Sequence, residues 1–338
     1  MGTDRRKQLL LEWLRGVFGT DEFSCEAASA DASFRRYFRL VLRGESYVVM
    51  DAPPDKEDCQ PFIAIANVLF QQGVNTPVVF QQSLELGFLV LTDLGSRCYL
   101  DELKPETAPA LYTDAVQALH KMHQLVPAEL EIPVYDAALL QQEMDLFNDW
   151  FLVELLGIQL SAGELEGLAL IQQKLLESAL AQPQVFVHRD YHSRNLMCCE
   201  LGNPGVIDFQ DAVLGPLSYD LASLYRDCYI EWPDEQVYAW LDEFLQQRQQ
   251  MGCDDEFDSA CFYQWFDWMG MQRHMKAVGI FCRLLLRDGK AGYLKDIPRT
   301  LSYVLKVAQA YDELKPLADL LLSHAVEAKF DQHLRGLS

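Results

Sequence analysis

Apolar residues recur at helical spacing in RRKQLLLEWLRGVF and predict a helix over residues 4–18. The rhythm then shortens. FSCEAAS, YFRLVLR and SYVVMDA are β-prone runs separated by turn-like residues, and they predict three strands. PPDKED reads as a loop, with Asp58 placed to cap a helix through PFIAIANVLFQQ that ends at Gly73. PVVFQQS and GFLVLTD predict two more strands, joined by a turn at Leu84–Gly87. Helix, three strands, helix, two strands: this order predicts a small antiparallel five-stranded sheet with a helix packed on it. From Leu100 onward helical periodicity dominates, in AVQALHKMHQL, LLQQEMDLFNDWFLVELL, ELEGLALIQQKLLESAL and DEQVYAWLDEFLQQRQQ. One β-like interruption breaks it, QVFVHRDYHSRNLMCCELGNPGVIDFQD at 184–211.

At 338 residues the chain has room for about two domains or lobes, and half of its residues are hydrophobic, enough for each to bury a core. The break is expected where sheet patterning gives way to helix: 1–93 as a small lobe, 94–99 as a hinge around Gly95, and 100–338 as a large lobe. Nine scattered cysteines show no CxxC pair and no metal-type spacing, and read as reduced thiols of a cytoplasmic protein. The opening residues lack the apolar core of a signal peptide, and no stretch approaches the length of a membrane span. A net charge of −22 argues against a nucleic-acid binder. Residues 1–92 hold 9 Lys+Arg against 12 Asp+Glu, whereas the remainder holds 19 against 38. Two basic islands stand out from that background, SFRRYFRLVLRG at 33–44 and QRHMKAVGIFCRLLLRDGK at 272–290. On a helical wheel Arg273, Lys276, Arg283 and Arg287 fall within about 80° of one another. The plain reading of that stripe is a solvated face balancing an acidic lobe.

The interruption carries the densest chemistry. Apolar VFV leads into HRDYHSRN, and LMCC leads through a Gly/Pro turn into GVIDFQD. Two short strands are expected to present Asp190 and Asn195 from one loop and Asp208 from the end of the second strand. An oxygen-only set suits Mg2+, a hard cation that shares its coordination shell with phosphates and water. An Asp, an Asn after four intervening residues, then a strand-end Asp: protein kinases use this order to orient an acceptor hydroxyl and hold metal against nucleotide phosphates.

H-x-D-x-H-x-x-N followed by V-I-D-F-Q-D resembles the catalytic and metal-binding segments of the aminoglycoside phosphotransferase and choline kinase superfamily. SADASFRRYFR, MDAPPDKEDCQPF, LVLTDLG, GPLSYDLASL and QRHMKAVGIFCRL resemble a narrower bacterial group, the anomeric kinases of N-acetylmuramate and N-acetylglucosamine that return cell-wall sugars to precursor synthesis. The resemblance spans nearly the whole chain. It implies an α+β, two-lobed protein-kinase-like fold, with an antiparallel five-stranded sheet in a small N-lobe and a large, mainly helical C-lobe. It also implies ATP and Mg2+, an amino-sugar substrate, and a cytoplasmic monomer or weak oligomer with no nucleic-acid or membrane partner. By the same resemblance Asp190 is the general base for the anomeric hydroxyl, Asn195 and Asp208 hold Mg2+, His188 shapes the loop, and Asp220 braces it. Read alone, Asp220 is equally a first-turn carboxylate favoured by the helix dipole. Asp211 is a second metal ligand or a solvent-facing acid.

The phosphate end departs from the protein-kinase pattern. No GxGxxG occurs, and the third strand carries Met50 where a phosphate-pairing lysine is expected. Ser29, Ser33 and nearby amides are expected to cup the phosphates, and Arg35 or Arg36 to supply the charge, with Lys56 a weaker substitute. Adenine is expected against the backbone near Thr92, Asp93 and Leu94, and the lactyl carboxylate of N-acetylmuramate against one of Arg273, His274 or Lys276. Three rivals stand beside this reading. They are a kinase of another small alcohol or an aminoglycoside, a metal-dependent hydrolase using His188, Asp190 and His192, and a non-catalytic kinase-fold binding module.

Overall fold

The structure is a computed structural model and describes residues 4–30, 34–126, 132–253 and 257–337. Helix α1 (Arg5–Phe18) begins where the Asp4 carboxylate accepts the Lys7 amide and stops at Gly19, in the left-handed conformation that favours glycine. Strands β1 (Phe23–Ala30), β2 (Arg36–Leu42) and β3 (Glu45–Asp51) follow, then α2 (Gln60–Gln71), β4 (Val79–Ser83) and β5 (Phe88–Thr92). The sheet is antiparallel throughout, in the order β1-β2-β3-β5-β4. Alternation along the strands sends Phe38, Leu40, Val49, Phe88 and Val90 to one face, where they bury against Leu10 and Leu14 of α1. Asp58 does accept the Gln60 amide, at 2.9 Å, although the cap position itself is Cys59. At Gly87 φ is +71°, and a Cβ there would lie 1.8 Å from the Ala52 carbonyl oxygen, so the β4–β5 turn requires glycine.

The helical remainder comprises α3 (Tyr99–Glu102), α4 (Ala108–His123), α5 (Ala137–Leu146) with a π-helical continuation Phe147–Leu155, and α6 (Ala162–Leu180). After the interruption come α7 (Tyr219–Tyr225), α8 (Asp234–Gln250), α9 (Ser259–Asp288), α10 (Ile297–Ala310), α11 (Lys315–Ser323) and α12 (Val326–Leu337). The interruption holds three short strands where two were expected, and a fourth follows just beyond it. β6 (Gln184–Val187) pairs with β9 (Val213–Pro216), and β7 (Leu196–Met197) pairs with β8 (Gly205–Val206). Two-residue strands have no periodicity of their own and exist through their partners.

The chain forms two compact units, one of residues up to Met122 with Arg194–Asp211, the other of His123–Ser193 with Ala212 onward. The lobe division at residue 93 is a different cut, drawn at the change from sheet to helix. In the second unit α9 runs through the core, with Met271, Met275, Val278 and Cys282 clustered with Phe147, Phe151, Leu168, Ile171, Leu301 and Val304. Every residue from Phe266 to Lys276 is buried. This overturns the solvated-face reading: Arg273 is 5 % exposed and Lys276 8 %, and only towards the end, at Arg287, does the stripe reach solvent. A helix stretch buried on all sides must satisfy its charges internally, and those charges meet Glu143 and the loop that carries Asp190. Among the described residues no helix is long and apolar enough to cross a membrane, and no cysteine is paired in a disulfide.

Candidate active site

The second unit holds Asp190. It sits just past β6 in a loop that two buried carboxylates pin by its backbone. Asp220, in the first turn of α7, accepts the His188 amide at 2.7 Å and the Arg189 amide at 3.1 Å. Asp227, just past the end of α7, accepts the Ser193 amide at 2.9 Å and the Tyr229 amide at 2.8 Å. Within the loop, the Asp190 amide donates to His188 Nδ1 at 3.3 Å and the His192 amide to the Asp190 carbonyl at 3.0 Å. Arg189 adopts φ +75°, a conformation rare outside glycine that persists only where its surroundings impose it. Here those surroundings are Asp220 on its amide and, on its guanidinium, Glu143 and the Tyr135 ring.

Glu143 is the hub of a buried charge network. It pairs with Arg189, accepts the Tyr135 hydroxyl, and lies 3.0 Å from Lys276 Nζ, which in turn donates to the Tyr219 hydroxyl at 3.1 Å. Burial would raise the Glu143 carboxyl, but Lys276 and Arg189 hold it below the ordinary glutamate range. Asp190 follows the same logic. Burial opposes its charge, and the positive field of Lys276, His192, Arg273 and His188 more than compensates, keeping its pKa low. Burial pushes Asp220 up to about 7 against the pull of its two amides. His274 differs from its neighbours: Nε2 donates to the Arg226 carbonyl at 2.7 Å, the ring stacks on Tyr303, and burial beside Arg273 takes its pKa down to about 3. It is an uncharged imidazole at neutral pH, which leaves Arg273 and Lys276 as the cations of that stretch.

The first unit holds Asn195 and Asp208. The Asn195 amide reaches Asp208 Oδ2 at 3.4 Å, and the Ile207 amide donates to the Asn195 carbonyl at 3.1 Å, tying the two segments together. Asp208 also has a left-handed backbone, φ +68°, and it follows β8 by two residues. The Gln210 side-chain amide bridges Asp208 Oδ1, at 2.8 Å, and Asp211 Oδ2, at 3.2 Å. Next in sequence to Asp208, Phe209 is wedged against Phe62 of α2 with ring centroids 4.9 Å apart. The described residues contain no group of three His, Cys, Asp or Glu side chains suited to a metal. Two carboxylates and one amide, all oxygen donors, fit magnesium, which takes few protein ligands and fills its shell with phosphate and water.

Of the residues expected around the nucleotide, Ser33 and the side chain of Ser29 lie outside the described residues. Arg35 is buried and pairs with Glu57 at 2.9 Å, whereas Arg36 joins Asp4 and the fully buried Asp51. Lys56 lies near Asp55 on the surface. The Thr92 amide donates to the Val78 carbonyl, and the Thr92 hydroxyl accepts the Val78 amide. Asp93 accepts from Arg39 at 2.7 Å, from Ser46, and from the Gly95 amide. The Leu94 carbonyl faces Cys199 Sγ at 3.7 Å. Glu57, Glu143, Gln210 and Asp227 were not foreseen. Glu57 and Gln210 lie within quoted segments but carried no assigned role there, and an acid inside an apolar helical pattern, as in QQEMDLF, was the one available signal for Glu143.

Comparison with known proteins bears on this geometry. The model of the Phosphotransferase enzyme family matches residues 24–258. An N-acetylmuramate/N-acetylglucosamine kinase of Pseudomonas putida is 45% identical over 298 residues, covering 88% of this chain and 87% of the relative. One of Neisseria meningitidis serogroup B is 42% identical, covering 94% and 96%. Among solved structures, an ADP-bound aminoglycoside phosphotransferase, APH(2'')-Ib, matches with TM-score 0.56 at 16% identity, over 87% of this chain and 97% of that one. A Plasmodium vivax ethanolamine kinase matches with TM-score 0.61 at 11% identity, over 90% and 87%. The solved neighbours share the α+β, protein-kinase-like fold, and by the family match and the bacterial relatives the chain belongs to the phosphotransferase enzyme family.

Proposed function

We propose that this chain is an ATP-dependent kinase that phosphorylates the anomeric hydroxyl of N-acetylmuramate and N-acetylglucosamine, releasing sugar 1-phosphates. The observation that carries this reading is the 42–45% identity to kinases of those two sugars over most of both chains. The site's chemistry supports it. Asp190, kept ionised by the surrounding cations, accepts the proton of the attacking hydroxyl, a role typically worth 10²–10⁴-fold in rate. Asn195 and Asp208, with Asp211 as a further oxygen ligand, would hold magnesium, which would supply charge neutralisation at the nucleotide phosphates. Asp220 and Asp227 keep the loop from moving while the proton is taken. Arg273 and Lys276 provide positive charge for the lactyl carboxylate of N-acetylmuramate, a group N-acetylglucosamine lacks.

Incubation of the full chain with ATP, Mg2+ and a panel of amino sugars and aminoglycosides, read by phosphorus NMR, tests the reading. An anomeric phosphate signal from both N-acetyl sugars, lost in Asp190→Asn, is the expected result. A phosphate on a primary hydroxyl or on an aminoglycoside instead would move the assignment to another kinase of the family.

A further inference from the structure

We propose that Arg35, clasped by Glu57, supplies the phosphate-facing positive charge that protein kinases place on the third strand, and that Arg36 serves the opposite face of the sheet. This rests on the reading that the first unit binds nucleotide. Strand alternation makes the division. The face covered by α1 takes Phe38 and Leu40 from β2 and Val49 from β3. By period two it also takes Arg36 and Asp51. There Arg36 is consumed: Nε and Nη2 reach Asp51 at 3.0 and 2.5 Å, Asp51 has no exposed surface, and it also receives Arg6 at 2.8 Å. Met50, fully buried, points to the other face, and its partner across the ladder is Tyr37. Arg35 directly precedes β2, two residues before Tyr37, which acts on it electrostatically; continued strand alternation would set it on the diagonal to Met50, about 7–8 Å away, a gap an arginine side chain spans. The charge absent from the third strand is thus restored from the start of the second.

Glu57 holds it there. One carboxylate oxygen pairs with Arg35 Nη2 at 2.9 Å, and the other accepts the Phe34 amide at 3.3 Å, so a single side chain just before α2 fixes both the arginine and the backbone that carries it. Arg35 also lies within the field of Asp208 and Asp211. Burial alone would lower its basicity, and Tyr37, Glu57 and those two carboxylates more than restore it. A cation beside a metal-holding carboxylate pair is where a triphosphate needs charge. A guanidinium has five N–H donors in a planar fork, enough to grip a carboxylate and a phosphate together, which a lysine does less well.

Calorimetric binding of Mg·ATP and of AMP to the full chain, with no sugar present, tests this. Arg35→Gln is expected to weaken ATP by about 10- to 100-fold, the worth of charged hydrogen bonds, and AMP by less than about twofold. Arg35→Lys should recover part of that loss, and Glu57→Gln should show a smaller one. Arg36→Gln should bind ATP as wild type does but melt at a lower temperature. ATP affinity unchanged in Arg35→Gln, in a wild-type chain that discriminates ATP from AMP, would overturn the assignment alone. So would the same loss confined to Arg36→Gln at wild-type Tm. A wild-type chain that binds neither nucleotide would overturn the nucleotide reading, and this assignment with it.

Discussion

A carboxylate that takes a proton from a sugar hydroxyl has to be ionised before the acceptor arrives, and burial works against that. As the proposed base, Asp190 meets the requirement by its neighbours, Lys276 first among them. Its pKa is depressed on folding, so the stability it contributes is present above its unfolded value and is lost as pH falls through the lower folded one. The acidic limb of kcat/KM should therefore lie below the usual aspartate range. Lys276→Met removes the leading cation, raises the Asp190 pKa, and should move that limb to higher pH; the pH–rate profile with N-acetylglucosamine checks it. Residues of this kind divide by how they were recognisable. Asp190, Asn195 and Asp208 stood out because their spacing along one segment matches a motif, and their proposed roles rest on it. Glu143 and Glu57 did not, because their role comes from partners 46 and 22 positions away, Arg189 and Arg35. Arg36 read as Arg35's equal until the ladder set it opposite Asp51, which consumes it.

At the scale of elements, α7 acts as a bracket. Its first turn pins one end of the Asp190 loop through Asp220, and the residues beyond its last turn pin the other through Asp227. Asp220→Ala strands two buried amides, each costing about 1–3 kcal/mol. It should lower both Tm and kcat, while Asp220→Asn, with one acceptor oxygen left, should fall between. Thermal melts beside steady-state kinetics separate the two effects. A second close contact joins α9 to α5: a Cβ on Gly279 would lie 2.4 Å from the Leu146 carbonyl carbon. Backbone cannot yield as a side-chain tip does, so Gly279→Ala should cost about 1–3 kcal/mol by overpacking and lower Tm with little change in KM. Element legibility follows local strength. The helix at 234–250 was readable end to end from its own pattern. The π-helical turns after Leu146 were read as one long α-helix, because apolar spacing in FNDWFLVEL does not distinguish the two and the changeover falls beside the Gly279 contact.

The whole molecule carries a net charge of −22, and its proposed substrates include an anion. Such a surface disfavours approach of N-acetylmuramate at long range, while the cations of α9, in their proposed role, favour it once bound. Salt screens the first effect, with a Debye length falling from about 30 Å at 0.01 M to about 8 Å at 0.15 M, far more than it screens buried groups. Raising ionic strength at saturating ATP should therefore lower KM for N-acetylmuramate and leave that for uncharged N-acetylglucosamine nearly constant, as initial rates would show. The same central helix sets a constraint on how this enzyme can change. Eleven consecutive buried residues, Phe266 to Lys276, form the spine of the second unit and, under the proposed reading, also carry Arg273 and Lys276 to the acceptor. An altered acceptor preference won at those positions would come at the expense of folding. Laboratory selection for new sugars should accordingly accumulate its substitutions away from this stretch, or find them there only after stabilising changes elsewhere have made room.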